Sequence, residues 1–158
     1  ICTDRETRAM LSADLSYRPG AVATVVVVPR SQAELVAAVA VAHEARRAVY
    51  VRGGGMSYTS GYTPAADGAL LLDLRRLDRI EIHERDMYVI AEAGVTWLAL
   101  DAALGARGLR TPYWGPLSGL RSSIGGALSQ GSIFLGSGRY GAAAESVIGL
   151  DVVLVDGT

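Results

Sequence analysis

Six consecutive residues, Arg52-Gly53-Gly54-Gly55-Met56-Ser57, are the stretch of this sequence best suited to hold a ligand. Three adjacent glycines expose backbone N–H groups with no side chains over them, and such groups converge readily on an anion, most often a phosphate. The same residues also suit a plain turn after a strand. A second stretch, Ser122-Ser123-Ile124-Gly125-Gly126-Ala127-Leu128-Ser129, sets hydroxyls beside paired glycines. It reads either as a second loop offering N–H groups to a ligand or as a helix N-cap followed by small residues for close packing. No nucleophile–base pair, acid pair or metal cluster accompanies either stretch, so any chemistry has to come from a cofactor. The single cysteine, Cys2, excludes an intrachain disulfide and a multi-cysteine metal site. His43 and His83 lie far apart without ligand spacing, and no structural metal is expected.

Composition narrows the class. The 158 residues fit one domain by length, and 50% are hydrophobic, enough for a substantial core. A net charge of -1 gives no sign of nucleic-acid binding. The apolar runs, such as Val25 to Val28, are far short of the ~20 residues of a membrane span, and a cytoplasmic protein is expected. Most of the 19 glycines cluster at 53–61, 105–119, 125–141 and 149–157, which marks loops rather than low complexity.

The elements that must position these stretches are legible in outline. Residues 4–13 carry a short helical pattern, and Tyr17-Arg18-Pro19-Gly20 reads as a turn. Thr24 to Val28 is a β-branched run suited to a buried strand, stopped by Pro29. Ser31 and Glu34 form a capping box for a helix reaching Arg46 or Arg47. Ala48 to Arg52 is the next strand, so strand, helix and strand read as a parallel βαβ unit. The glycine stretch therefore lies at the C-terminal end of a parallel strand, where α/β sheets bind ligands. Tyr58 takes the place of the third glycine of a dinucleotide fingerprint, no helix pattern follows, and Met56-Ser57 is not the Lys-Ser/Thr of a P-loop. Ala69 to Leu74 reads as a further strand, and 79–83 with 87–93 as a hairpin that leaves His83 solvated. Thr96 caps a helix from Trp97 to about Ala106, with Leu98, Leu100, Ala103 and Leu104 apolar. Thr111 to Gly141 reads as a long functional loop and Ser146 to Val155 as a last strand. Asp156-Gly157 is a hairpin signal without a second arm, so the sequence is expected to be the N-terminal part of a longer protein.

Five segments in order carry a resemblance: Arg52–Ser57, Glu92–Trp97, Ser123–Ser129, Arg139–Gly141 and Val147–Leu154 before Asp156-Gly157. Together they resemble the FAD-binding domain of the vanillyl-alcohol oxidase superfamily, the PCMH-type domain of FAD-linked oxidases, over about residues 17–158. The resemblance implies an α+β fold of two subdomains with FAD held between them. A small parallel βαβ part would span about 17–75. A larger, mainly antiparallel part would start at about 76, hold the hairpin and the last strand, and be incomplete at its C-terminus. It implies FAD contacts at Arg52, Gly53, Gly54, Gly55, Met56 and Ser57, with Gly53 to Ser57 on the pyrophosphate and Gly61 closing the loop. Ser118, Ser123, Gly125, Gly126 and Ser129 would lie along the pyrophosphate, ribityl chain and flavin, Val147 would bond the adenine through its backbone, and Arg139 to Gly141 would be structural.

Met56 stands where many members carry a histidine tethered to the flavin, and Arg121 stands near the cysteine of bicovalent members. The resemblance therefore implies no covalent flavin link within this chain. It also implies an oxidoreductase taking hydride from an alcohol, 2-hydroxy acid or similar small substrate, with the glycolate-oxidase and D-lactate-dehydrogenase-like branch nearest. The substrate domain and catalytic base would lie beyond these residues. Two alternatives remain: a flavin-carrying subunit without substrate chemistry, and a UDP-N-acetylenolpyruvoylglucosamine reductase type, whose loop normally continues Ser-Asn.

Overall fold

The computed structural model describes residues 1–16, 18 and 20–158. Two positions of the expected turn at 17–20, Tyr17 and Pro19, lie outside the described residues. The chain forms two compact units, Ile1–Arg76 with Asp151–Thr158, and Leu77–Leu150.

The first unit is built on a three-stranded parallel sheet. Its strands are β1 (Val25–Val27), β2 (Val49–Arg52) and β3 (Leu70–Asp73), in the order β1-β3-β2. The expected βαβ connection exists, but β1 and β2 are not neighbours, because β3 lies between them. The reason is in the side chains. All four residues of β3 are buried, so it needs a strand on each edge and cover on both faces. In β2, Val51 is 53% exposed and tolerates an edge position. Alternation along β3 divides the core. Leu71 packs with Leu11, Ala23, Val26 and Tyr62, whereas Leu70 and Leu72 pack with Val39 and Ala42. Leu71 and Leu72 are almost fully buried, and each such side chain contributes about 1.5–3 kcal/mol.

Two helices cover these faces. Helix α1 (Arg5–Ser12) is capped by Asp4, whose carboxylate accepts from the Thr7 N–H, and supplies Leu11. Helix α2 (Gln32–Glu44) supplies Val39 and Ala42. Ser31 Oγ accepts from the Glu34 N–H as the capping box requires, but the Glu34 carboxylate accepts from the N–H of Arg30, one residue earlier than that motif specifies. The helix ends sooner than Arg46, which adopts a left-handed φ of 51° while the Arg47 N–H returns to the Ala42 carbonyl.

In the second unit β4 (Ile80–His83) and β5 (Tyr88–Ala91) form an antiparallel hairpin, closed by the pair His83 and Tyr88. His83 is not simply solvated. Its ring stacks on Tyr88 at 4.3 Å, and the Glu81 carboxylate lies 2.9 Å from Nε2, off the ring's N–H direction. Helix α3 (Trp97–Gly105) is capped by Thr96 and buries Trp97, Leu100 and Leu104, while Leu98 is 51% exposed.

Two expectations are corrected here. Residues 111–141 are not a structureless loop: they contain α4 (Ile124–Ser129) and α5 (Ser137–Tyr140), followed by a 3-10 turn at Ala143–Ser146. The buried Tyr113 ties this region together, its hydroxyl lying 3.0 Å from the Ala142 carbonyl and 2.7 Å from Ser146 Oγ. The strand expected over 146–155 does not form, because a strand exists only against a partner's N–H and C=O groups and none of the described residues supplies them. Residues 151–158 join the first unit rather than the hairpin's, and Val153 packs on the Leu70 and Leu72 cluster. The turn before Gly157 does form, with the Gly157 N–H donating to the Leu154 carbonyl and a φ of 88°.

Candidate cofactor site

Strand β2 carries its last side chain, Arg52, into the protein, where it is 5% exposed. Directly opposite on β3 stands Asp73, fully buried, and Arg52 Nη1 donates to its Oδ2 at 3.2 Å. The Asp73 carboxylate also accepts from Arg75 Nε, 2.9 Å from each oxygen, and from the Arg75 N–H. Two guanidinium groups on one carboxylate leave this cluster net positive. Arg52 further lies over the Tyr62 ring, 5.5 Å from its centroid. Its Nε is buried and finds no hydrogen-bond acceptor among the described residues.

The chain leaves β2 directly above this guanidinium. Gly55 has a φ of 75°, and a Cβ there would come within 2.7 Å of Arg52 Cζ. Glycine is therefore required at 55 on two counts, backbone conformation and space. Through Gly53, Gly54, Gly55, Met56 and Ser57 no backbone N–H donates to any of the described residues. Five successive free donors on a half-buried loop form an arrangement that takes an anion.

The far limb of the loop is held differently. Asp14, 5% exposed, follows α1 and places each carboxylate oxygen on two donors. Oδ1 accepts from the N–H and hydroxyl of Ser16, and Oδ2 from the Ser57 hydroxyl and the Ser60 N–H. Burial pushes the Asp14 carboxyl upward, but these hydrogen bonds outweigh it and hold the group below its ordinary value. Ser57 Oγ in turn accepts from the N–H groups of Thr59 and Gly61. The Ser57 hydroxyl and the Gly61 N–H are thus engaged inside the loop and shape it. The Ser57 N–H itself has no acceptor among the described residues.

The other expected residues lie in the second unit. Ser123 is buried, and its hydroxyl accepts from the Gly126 N–H as the N-cap of α4. Ser129 Oγ donates back to the Gly125 carbonyl, and Ser118 and Ser122 share a hydrogen bond between hydroxyls. Gly125 lets α4 approach Ala93, whose carbonyl accepts the Gly125 N–H at 3.0 Å. The stretch thus forms a capped helix with small residues at a close contact. Val147 donates its N–H to the Ala144 carbonyl, which leaves its carbonyl for the expected adenine bond. It borders an open, mainly apolar cleft of about 370 Å³, lined also by Leu128, Ala144 and Ile148 to Leu150. Arg139 and Tyr140 lie in α5, and Gly141, with a φ of 78°, ends it.

Asp14, Tyr62 and Asp73 escaped the sequence reading. Asp73 left a trace, a carboxylate closing an apolar strand two residues before Arg75. Asp14 left none, because its loop partners lie 43 and 46 residues away.

The α+β architecture has one parallel and one antiparallel sheet, and its glycine loop leaves the C-terminal end of a parallel strand, where α/β sheets bind ligands. Residues 23–158 match the family described as FAD binding domain, and the chain belongs to that family. FAD is accordingly its cofactor. Among its relatives are a probable mitochondrial D-lactate dehydrogenase of Danio rerio, 33% identical over 85% of this chain and 26% of that protein, and the glycolate oxidase subunit GlcD of Bacillus subtilis, 30% identical over 95% and 32%. The chain thus spans about a quarter to a third of the length of the curated relatives it matches. Among solved structures, a Physcomitrella patens BBE-like 1 variant shares the fold with a TM-score of 0.82 at 20% identity, over 97% of this chain and 33% of that one. A chitooligosaccharide oxidase does so with a TM-score of 0.79 at 22% identity, over all of this chain and 33% of that one.

Proposed function

We propose that this chain is the FAD-carrying part of a flavin-dependent oxidoreductase that oxidises an alcohol, a 2-hydroxy acid or a similar small molecule. The single observation that carries the reading is the run of five uncommitted N–H groups from Gly53 to Ser57 above a net-positive Arg52, Asp73 and Arg75 cluster. Phosphate oxygens are the acceptors such a run fits, and the FAD pyrophosphate supplies them. Arg52 supports the loop from beneath and adds positive potential. Ser57 and Gly61 fix its curvature. Ser118, Ser123, Gly125, Gly126, Ser129 and Val147 line the remainder of the cofactor in this reading, Ser123 and Gly125 by placing α4. When bound, FAD supplies the hydride acceptor that this chain's own side chains lack. Met56 offers a thioether where a tethering member carries an imidazole nitrogen, and a sulfonium formed there would be a labile leaving group, so the cofactor is held without a covalent bond to this chain. The relatives named for D-lactate and glycolate favour a 2-hydroxy acid as the substrate class.

The test is direct. Purified full-length protein should show a flavin absorption spectrum, and denaturation should release the FAD from the peptide of residues 1–158. Apoprotein should gain about 2.7 kcal/mol of stability at FAD one hundredfold above Kd. Colourless protein with no thermal response to FAD would overturn the reading.

A further inference from the structure

Asp14 comes from the segment after α1 and belongs to neither β2 nor the glycine loop, yet it holds that loop's outer limb. Its Oδ2 bonds the Ser57 hydroxyl at 3.0 Å and the Ser60 N–H at 2.6 Å. Ser60 has a φ of 59°, a left-handed conformation that a residue with a Cβ adopts at a cost. The Asp14 carboxylate is the acceptor that stabilises it. The neighbours of Asp14 add to the template. The Leu15 N–H donates to the Ser57 carbonyl at 3.0 Å, and the Tyr62 hydroxyl lies 3.0 Å from the Ala13 carbonyl and 3.2 Å from that of Gly55. The inner limb is set by the Arg52 and Asp73 pair.

We propose that Asp14 is a positioning residue for the cofactor's phosphates: by clamping Ser57 and Ser60 it holds the Gly53–Ser57 N–H groups convergent before FAD arrives. This rests on the reading of that loop as the pyrophosphate site. The four donors around Asp14 are uncharged and saturate both of its oxygens, so its negative charge is spent on the serines rather than turned on a phosphate. Its part is played through Ser57 and Ser60, and it needs no contact with FAD. A loop ordered in advance loses less conformational entropy on binding, and removing the clamp moves that loss into the binding step.

The experiment compares wild type, Asp14→Asn and Asp14→Ala in the full-length protein, with FAD itself as the probe. Asparagine preserves the shape, but its amide group satisfies only one of the two donor pairs, so the FAD Kd should rise about tenfold, and more with alanine. Hydrogen exchange of the apoprotein should quicken at Leu15 and residues 59–61, whose N–H groups the clamp engages, while β3 stays unchanged. Equal FAD affinity in wild type and Asp14→Asn would overturn the proposal. Exchange quickened equally across the loop and β3 would also overturn it, since Asp14 would then be an ordinary stability residue. If Asp14→Ala does not fold, Asp14→Asn decides by the same two readouts. Wild type without FAD binding would instead overturn the pyrophosphate reading beneath it.

Discussion

The guanidinium of Arg52 fills the space that a side chain at Gly55 would need: a Cβ built there comes within 3.2 Å of three of its atoms. Strand end and glycine loop are therefore one packed unit. Gly55→Ala should displace Arg52 from Asp73 and strain a φ of 75°. A loss of about 1–3 kcal/mol in urea unfolding is expected, together with weaker FAD retention on gel filtration. Stability equal to wild type would show that Arg52 has room to move.

Asp73 anchors that guanidinium from a fully buried position, whereas Arg75 has a half-exposed side chain. Asp73→Ala leaves Arg52 buried and uncompensated, which costs about 3–5 kcal/mol. Arg75→Ala removes the solvated partner and should cost less than about 1 kcal/mol. Comparable losses from the two substitutions, measured by denaturant titration, would contradict the asymmetry in burial.

How far the sequence reveals this arrangement depends on the range of each interaction. Ser31 and Thr96 are legible as caps, and Ser123 as a cap in one of its two readings, because each partner N–H lies three residues away. Thr24 to Val28 and Ala69 to Leu74 are legible as strands from their apolar runs. The middle place of β3 is not, because no local pattern encodes strand order. It follows from which run needs cover on both edges. Residues 146–155 show the converse failure: a strand-like run without a partner stays unpaired. The glycine loop is legible as backbone chemistry, but its two buried carboxylates are not. Asp14 meets Ser57 and Ser60 only after the chain has folded back over more than forty residues.

Asp14 makes stability depend on pH at the acid end. Its folded carboxyl titrates below the ordinary value of 3.8, so the unfolded chain binds more protons in that region. The contribution is complete above the ordinary value and is lost as pH falls below it through the folded value. Asp4 and Asp156, also lowered by hydrogen bonds, act in the same direction. Urea midpoints measured from pH 6 to about pH 3 should fall for wild type and fall less steeply for Asp14→Asn. Parallel curves would show that Asp14 contributes nothing to acid sensitivity.

Arg46 ends α2 with a φ of 51° and an exposed side chain, in the position after the C-cap where glycine is usual. Relief of the Cβ penalty outweighs the added freedom of the unfolded chain, so Arg46→Gly should stabilise by about 0.5–1 kcal/mol. FAD affinity should not change. A lower melting temperature would imply a role for this side chain beyond its backbone.

The two short helices of the second unit allow a test of sign. Glycine inside a helix is normally worse than alanine by up to about 1 kcal/mol. At Gly138 in α5 a Cβ meets nothing within 4 Å, so Gly138→Ala should stabilise. At Gly125 in α4 the added carbon would lie 2.8 Å from Ala93 Cβ and 2.9 Å from the Ala93 carbonyl oxygen. Backbone cannot swing aside as a long side chain does, so α4 must lift from Ala93 and strain the Gly125 N–H bond to that carbonyl. Gly125→Ala should therefore destabilise by about 1–3 kcal/mol, the overpacking cost. Because Ile124 joins the Trp97 and Leu100 clusters, the loss should reach both. Urea midpoints moving in opposite directions are the expected result. Stabilisation by both substitutions would mean that α4 does not rest on Ala93.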